Sequence, residues 1–375
     1  LRVLRQTGRL VRWWTFILVG LLGPERLRLR RPPPWRPVAT PAKPRVGVRV
    51  DVVRPVLYGD LFPASFTNLP LSVQAPEPSV SVAENVVLFP GHTFVDRRSG
   101  RLLPQSLDVT HDPEILSGKG MRPPRLFGRL EEVRNEAFVV DCHHTGTYGH
   151  NLLEALPGLM LLDQVPSDVE IATSIPRSPT IEALIGSFGV DPARVRYYRG
   201  PLFCRSARLP ERLVHLNRSI HPLAREAFSR MKRLAVHASI ASPERVFISR
   251  SGIQRRRLVN EADIEGMFER HGFSIVHPER LPIADQIAVF ANAPMIAGLG
   301  GSAMHNTVFT PPDSRVLLVS NLEWFMETDV LISQRDGQLG YVFGSSMDDA
   351  DDVGERTWRV DPAAVEAAIV AHFGF

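Results

Sequence analysis

Four arginines stand between an apolar run and the start of a polar helix: Arg250 and Arg255–Arg257. The run Val246–Ile248 is typical of a short strand, and Asn260 is a typical N-cap for the segment that follows. A loop after such a strand lies at the carboxyl edge of the sheet, where open α/β sheets bind ligands. Guanidinium groups and helix N-termini both bind phosphate oxygens, so the loop is a candidate phosphate site, and a solvated basic loop is the alternative.

A second candidate is the glycine-rich turn Gly298–Asn306, which joins another apolar run to a helix start. Glycine lets a ligand approach the backbone, and a helix start favours an anion. The turn is neither GxGxxG nor a phosphate-binding P-loop with its lysine, so a simple tight turn is the alternative. Because both loops follow strands of one predicted sheet, we expect them at the same edge, where they could hold a diphosphate from two sides.

His150 and Glu154 form a third candidate, because residues four apart share one face of a helix start. A histidine or carboxylate held by a helix can act as a general base, and a histidine that only caps or packs is the alternative. His143 and His144 point to opposite sides of an extended segment, so we do not expect these histidines to converge on a metal. The D-x-D triplet Asp349–Asp351 lies in a run of four aspartates, which predicts a solvated loop rather than a metal site.

The elements that carry these residues alternate between strands and helices. This alternation predicts an α/β fold with a doubly wound parallel sheet in the second half of the chain. The predicted strands are Ala137–Cys142, Val169–Ala172, Val195–Tyr198, Leu202–Leu209, Val246–Ser249, Ser274–His277, Met295–Gly298 and Val316–Ser320. The predicted helices are Asn151–Gln164, Thr180–Phe188, Pro222–Ser239, Glu261–His271, Ile283–Asn292, Ser302–Phe309 and Pro362–His372.

Length and charge limit the classes of function. A chain of 375 residues suggests two domains, and 44% hydrophobic residues supply an ample core. Residues 1–45 hold ten Arg and one Lys against one Glu, a charge of +10, so the net +4 leaves 4 − 10 = −6 for the rest. A mildly acidic body argues against nucleic acid as a partner. The only cysteines, Cys142 and Cys204, have no zinc or disulfide-scaffold spacing and are expected to be reduced.

The N-terminal segment suggests contact with a membrane surface. The apolar stretch Trp13–Gly23 is preceded by four arginines and is shorter than the ~20 residues that a spanning helix needs. A signal peptide is the alternative, although no A-x-A-like cleavage site follows. Seven prolines between Pro24 and Pro44 predict a stiff, extended linker. We expect a cytoplasmic protein held at the inner face of the cell membrane through residues 1–30, on anionic lipid.

Three blocks of this sequence together resemble glycosyltransferase family 61. Tyr148–Pro157 is similar to the family's aromatic-x-His-x-x-x-Asp/Glu-x-Leu-Pro block. Ile248–Glu261 resembles its Ser-Arg…Arg-x-x-x-Asn-Glu block, and Gly298–Pro312 its glycine block with Asn and Phe-x-Pro-Pro. Gln286 resembles a glutamine of the intervening helix. One departure is Gly300, which stands where the family usually has a histidine.

The resemblance implies a GT-B fold, in which two Rossmann-like domains face each other across a cleft. Residues 1–45 would then be a basic, Pro-rich tail, 46–221 the acceptor-side domain with a β-rich lead-in, and 222–375 the domain that binds the nucleotide sugar. It also implies inversion at the anomeric carbon and no requirement for a metal or other cofactor, because arginines would stabilise the leaving diphosphate.

On this interpretation the protein transfers a hexose or pentose from a nucleotide sugar to a glycan hydroxyl, and a UDP-sugar is the first donor to expect. The reaction would belong to surface or capsular polysaccharide synthesis. A catalytically inactive protein that binds a nucleotide sugar or glycan is the alternative. A phosphate-ester hydrolase would need a metal cluster or a nucleophile elbow, and the sequence shows neither. The candidate base is His150 or Glu154. The predicted donor-binding residues are Arg250, Arg256, Asn260, Glu261, Gly301, Ser302 and Asn306.

Overall fold

The structure, a computed structural model, describes residues 47–98, 103–106, 130–133, 136–333 and 338–375. The predicted basic segment, its Pro-rich linker and its predicted membrane contact lie outside these residues. Among the residues described, none of the helices combines the length and the apolar character that crossing a membrane requires.

The first half forms a mixed sheet of seven strands, and three lead-in strands that precede it in the chain lie outside this sheet. The lead-in strands are β1 (Val48–Asp51), β2 (Val56–Tyr58) and β3 (Ser72–Ala75). The first sheet has the order β5-β4-β10-β7-β8-β9, with β6 also pairing with β10. Its strands β7, β8, β9 and β10 run parallel, whereas β4 and β5 are antiparallel additions. Their bounds are β4 (Val80–Phe89), β5 (Thr93–Asp96), β6 (Glu131–Glu132), β7 (Glu136–Val139), β8 (Glu170–Thr173), β9 (Val195–Tyr197) and β10 (Leu202–Pro210).

The second half forms another seven-stranded sheet after a short hairpin of β11 (Val214–His215) and β12 (Ser219–Ile220). Its order is β14-β13-β15-β16-β17-β18, and all of its strands are parallel except β18. The parallel strands thus follow the chain order 2-1-3-4-5, which places a topological switch point between β13 and β15. The bounds are β13 (Arg245–Ile248), β14 (Ser274–Val276), β15 (Met295–Leu299), β16 (Arg315–Asn321), β17 (Leu339–Ser346) and β18 (Trp358–Arg359).

The α/β class and the parallel second sheet are confirmed, whereas the GT-B arrangement and the domain boundaries remain predictions. One strand departs from the predicted boundary at 221/222. β2 belongs to the lead-in but pairs in parallel with β17 of the second sheet. The predicted β-rich lead-in therefore contributes to both halves.

Helices cover the sheets, and three of those predicted differ in type wholly or in part. The predicted helix Pro222–Ser239 is α-helical only to Lys232 and continues as the 3-10 helix Arg233–His237. The α-helices are α1 (Ala64–Thr67), α2 (Tyr148–His150), α3 (Pro179–Gly186), α4 (Pro222–Lys232), α5 (Glu261–Arg270), α6 (Ile283–Asn292), α7 (Glu327–Ser333) and α8 (Pro362–Phe373). After α2 the chain forms a π-helical turn, Asn151–Ala155, and then a 3-10 helix, Leu156–Gln164. Pro157 has no N–H for the α-helical bond to Leu153, and the preceding N–H of Leu156 bonds to Asn151 O, five residues back. Ser302–Phe309 is also a 3-10 helix.

The two halves share one buried apolar core. A single hydrophobic cluster contains Leu152 and Leu156 from the first half together with Ile248 and Met304 from the second. Helix α4, which links the halves, packs against both Leu156–Gln164 and Ser302–Phe309. The strands of the second sheet read as continuous apolar runs because helices cover both faces of a parallel sheet.

Candidate functional site

The arginine loop and the glycine turn begin side by side at the switch point. β13 and β15 are neighbours, and Ile248 lies opposite Gly298 in their register. A Cβ on Gly298 would lie 2.8 Å from the Cβ of Ile248 and 2.6 Å from Met304 Sδ, so only glycine fits there without movement. The predicted placement of both loops on one sheet edge is therefore confirmed.

Arg250 follows the end of β13, and two hydrogen bonds fix its position, one from its backbone and one from its side chain. Its N–H donates to Glu261 Oε1 at 2.7 Å, and its Nη2 donates to the carbonyl of Arg255 at 3.2 Å. The residue is 9% exposed. Burial lowers the pKa of Arg250, while the charges of Glu261 and Glu279 act in the opposite direction.

Arg256 is fixed from several sides. Its backbone has φ +54°, its N–H donates to Gly354 O at 3.0 Å, and its carbonyl accepts from Trp358 Nε1 at 2.9 Å. Its guanidinium carbon lies 4.2 Å from the centre of the Trp324 ring, a cation–π contact. Burial first, and then repulsion from two neighbouring arginines, lower its pKa to about 9, and Asp329 opposes this shift.

Both guanidinium groups meet the backbone at Gly301. A Cβ on Gly301 would lie 2.2 Å from Arg250 Nη1 and 3.4 Å from Arg256 Nη2. Within the described ranges, neither arginine has a carboxylate oxygen within the 4.0 Å of an ion pair. Two like charges buried together raise the free energy of the site, and an anion bound there would lower it.

Three of the predicted donor-binding residues, Glu261, Asn260 and Asn306, make hydrogen bonds within the protein. Glu261 receives the Arg250 N–H and the Ser249 hydroxyl at 3.3 Å, so it shapes the loop. Asn260 has no capping side-chain hydrogen bond, contrary to expectation. Its amide donates to the carbonyl of Val360 at 3.0 Å, with the Val360 N–H 3.4 Å from its Oδ1. Both side chains are buried in contacts within the protein.

Asn306 is the third of these residues. It is fully buried, and its Oδ1 accepts a hydrogen bond of 2.5 Å from the hydroxyl of Tyr148. Its amide oxygen therefore joins the two halves, whereas its Nδ2 has no hydrogen-bond partner among the described residues. Ser302 keeps its predicted place beside Gly301 and lies against Gly149, where an added Cβ would be 3.1 Å from Ser302 Cβ.

His150 and Glu154 interact as their spacing predicts. The His150 Nδ1 is hydrogen-bonded to Glu154 Oε2, and Arg212 Nη1 donates to the other oxygen, Oε1, at 2.9 Å. The side chains of Glu154 and Arg212 are 2% and 9% exposed, whereas that of His150 is 21% exposed. Sequence reasoning missed Arg212, because nothing in its local sequence links it to residue 154.

His305 stands between this group and the arginines. Its ring packs on Gly149, where an added Cβ would lie 2.4 Å from His305 Nδ1. Burial first, and then the charges of His150 and Arg256, lower its pKa to about 3. His305 therefore lies close enough to both His150 and Arg256 for their charges to interact with it. The His150–Glu154 pair and the two arginines thus border the same region.

His305 also approaches a buried acid that the sequence did not point to. Asp329 Oδ1 lies 3.5 Å from His305 Nε2, within ion-pair distance but without hydrogen-bond geometry. Burial raises the pKa of Asp329 to about 7, and the pKa of His305 is far below neutral. A neutral histidine forms no salt bridge, so we interpret the contact as packing of two polar groups.

The acidic run covers the arginine loop. Asp352 pairs with Arg255 at 3.1 Å, and Arg256 bonds to the Gly354 carbonyl of the same segment. The run is exposed, as expected, and its Asp352 forms an ion pair with Arg255. Among the residues that the structure covers, no cluster of three His, Cys, Asp or Glu could hold a metal.

Gly300, the position where a histidine was expected, is packed tightly. A Cβ there would lie 2.8 Å from Ser320 Oγ and 3.3 Å from Ser320 Cβ. A histidine at this place would require the buried Ser320 to move. The packing around residue 300 therefore fits a glycine.

Comparison with known proteins adds one finding to this geometry. The family model described as Glycosyltransferase 61 matches residues 148–317, a range that contains His150, Glu154, both arginines and the glycine turn. No curated protein matches the chain.

Proposed function

We propose a specific transfer reaction for this chain, on the basis of its match to the glycosyltransferase 61 model over residues 148–317. The protein moves a sugar from a nucleoside-diphosphate sugar to a glycan hydroxyl, with inversion at the anomeric carbon and without a metal. The observation that carries this proposal is the pair of guanidiniums at Gly301, that of the buried Arg250 and that of the half-buried Arg256, which has no carboxylate partner within the described residues.

The arginine pair binds the donor's diphosphate. During transfer, negative charge grows on the diphosphate oxygen as its bond to the anomeric carbon breaks and the electron pair leaves with it. Arg250 and Arg256 are already oriented by backbone contacts and by Trp324, so little reorganisation opposes the stabilisation of that charge. Gly301 and Ser302 let the phosphates approach the backbone at the start of the following helix.

His150 is the group that takes the acceptor's proton. Glu154 is buried and both of its oxygens are engaged, one by His150 and one by Arg212. His150 is more exposed, and its Nε2 is the ring nitrogen that Glu154 does not engage. The acceptor oxygen forms its bond to the anomeric carbon while its proton passes to this nitrogen.

The remaining parts of the proposal concern context. In a GT-B arrangement, residues 46–221 present the acceptor and residues 222–375 bind the donor. The first donor to expect is a UDP-sugar. The product is a surface or capsular polysaccharide. The protein works on the cytoplasmic side of the membrane, held by residues 1–30.

Release of nucleoside diphosphate tests the proposal. The purified chain is incubated, in EDTA, with a panel of UDP-, GDP-, CMP- and dTDP-sugars and short glycan acceptors. We expect turnover with a diphosphate donor, and a loss of about 10²–10⁴-fold in kcat for His150→Ala. His237→Ala, at an exposed histidine, is the control. Donor binding without any turnover would instead favour a non-catalytic nucleotide-sugar or glycan-binding protein.

A further inference from the structure

The side chain of Arg212 is 9% exposed and contacts Glu154, the carboxylate beside the proposed base. Arg212 belongs to the segment between β10 and β11, which backbone hydrogen bonds hold on either side of it. The Glu211 N–H donates to Ser79 O at 2.8 Å, and the Leu213 carbonyl accepts from the His221 N–H at 2.7 Å. The side chain thus reaches Glu154 from a fixed position, 58 residues away along the chain.

We propose that Arg212 is the positioning residue of the transfer reaction, which holds Glu154 so that Glu154 can orient His150. This inference rests on the proposed role of His150 as the base. It assigns a role to a residue outside the arginine loop, the glycine turn and the His–Glu pair.

One carboxylate serves two partners in this arrangement. Because Arg212 occupies Oε1 at 2.9 Å, the other oxygen is directed at His150 Nδ1. A hydrogen bond from Nδ1–H to a carboxylate fixes the tautomer in which Nε2 carries the lone pair. The positive charge of Arg212 favours the ionised carboxylate, so the proton taken from the acceptor stays on the imidazole and does not move to Glu154.

The charges of the three side chains balance in each state. Before transfer, Arg212 is positive, Glu154 negative and His150 neutral, so the group is neutral. After transfer, His150 is positive and lies beside the negative carboxylate, which stabilises the imidazolium. If Arg212 were removed, a buried carboxylate would lose its cation, and its hold on His150 would weaken.

The alternative is that the Arg212–Glu154 ion pair is purely structural. Chemical rescue of an Arg212 variant by guanidinium ion distinguishes this alternative from a positioning role. We expect Arg212→Ala to lower kcat about 10–100-fold, the usual effect of losing such a supporting contact. The affinity for inorganic pyrophosphate should stay within about twofold, because Arg212 does not touch the phosphate site. Added guanidinium ion should restore part of kcat, whereas sodium at equal ionic strength should not. Arg208→Ala, which breaks the Arg208–Glu136 pair of 2.8 Å, is the matched control and should show neither effect.

A double mutant gives a second readout. In a Glu154→Gln background, removal of Arg212 should cost less than about twofold in kcat, because its effect passes through Glu154. Arg212→Ala with unchanged kcat, or full additivity with Glu154→Gln, would overturn the inference. If Arg212→Ala does not fold, Arg212→Lys is used in its place. If lysine and arginine at residue 212 then give equal kcat, both with Glu154 and with Glu154→Gln, the requirement for the planar guanidinium group of Arg212 is overturned. A wild-type protein without any transferase activity would refute the proposed function itself, which is a separate outcome.

Discussion

The guanidinium of Arg250 lies directly against the backbone of Gly301. A Cβ at residue 301 would be 2.2 Å from Arg250 Nη1, closer than atoms of this kind approach. The two residues come from separate loops, and their contact joins the arginine loop to the glycine turn. The proposed anion site depends on this approach.

Gly301→Ala should therefore weaken anion binding although both arginines remain. The added methyl group displaces the Arg250 guanidinium, which also changes the surroundings of Arg256. We expect the affinity for inorganic pyrophosphate to fall about tenfold or more, the loss of a charge-assisted contact of about 1.5–3 kcal/mol, as measured by calorimetry.

Gly186→Ala is the matched control for this substitution. A Cβ on Gly186 meets no atom within 4 Å, and the residue ends helix α3 far from the loops in sequence. It should leave pyrophosphate affinity unchanged. Equal affinities for Gly301→Ala and Gly186→Ala would contradict the assigned role of Gly301.

Tyr148→Phe should destabilise the contact between the two halves. The Tyr148 hydroxyl donates to Asn306 Oδ1 at 2.5 Å, and Asn306 is fully buried. Its loss leaves a buried amide oxygen without this donor, at a cost of about 1–3 kcal/mol in the free energy of unfolding. Urea denaturation measures the change. Tyr197→Phe, at a half-buried tyrosine, should cost less than about 0.5 kcal/mol, and an equal effect of both substitutions would argue against the contact.

The sequence predicted the parts of the site that local patterns determine. Apolar runs located β13 and β15, and the rule that parallel strands end at one edge brought Arg250 and Gly301 together. Helical spacing predicted that His150 and Glu154 share a face. These features depend on residues within one element or on neighbouring elements of one sheet.

The parts that were missed depend on contacts across the fold. Arg212, Trp324 and Asp329 reach the site from elements whose local sequence carries no motif. The sequence did not predict the hydrogen-bond partners of Asn260 and Asn306, because Val360 and Tyr148 are 100 and 158 residues distant. A buried amide takes whichever partner the packing supplies, and no spacing rule identifies that partner.

Asp329→Asn should stabilise the protein at neutral and alkaline pH. Burial raises the pKa of Asp329 to about 7 from an ordinary value of 3.8. Between these values the folded state keeps a proton that the unfolded state has lost, so the stability of the wild type falls as pH rises through this range and levels off above about 7. An asparagine does not ionise and escapes this loss.

The expected gain of Asp329→Asn is on the order of a few kcal/mol at pH 8, and it should shrink towards pH 4. Urea unfolding of both proteins at the two pH values measures it. The same substitution at the exposed Asp313 is the control. A difference between wild type and Asp329→Asn that does not grow with pH would contradict the account of this carboxyl.

The central claim is that Arg250 and Arg256 bind the donor's diphosphate, and pyrophosphate calorimetry tests it most directly. Titration in EDTA at pH 7.5 compares the wild type with Arg256→Ala, and with Arg257→Ala as the exposed neighbour in the same loop. We expect Arg256→Ala to bind about 10–100-fold more weakly, and Arg257→Ala to bind within about twofold of the wild type. Pyrophosphate binding that is as tight in Arg256→Ala as in the wild type would contradict the claim.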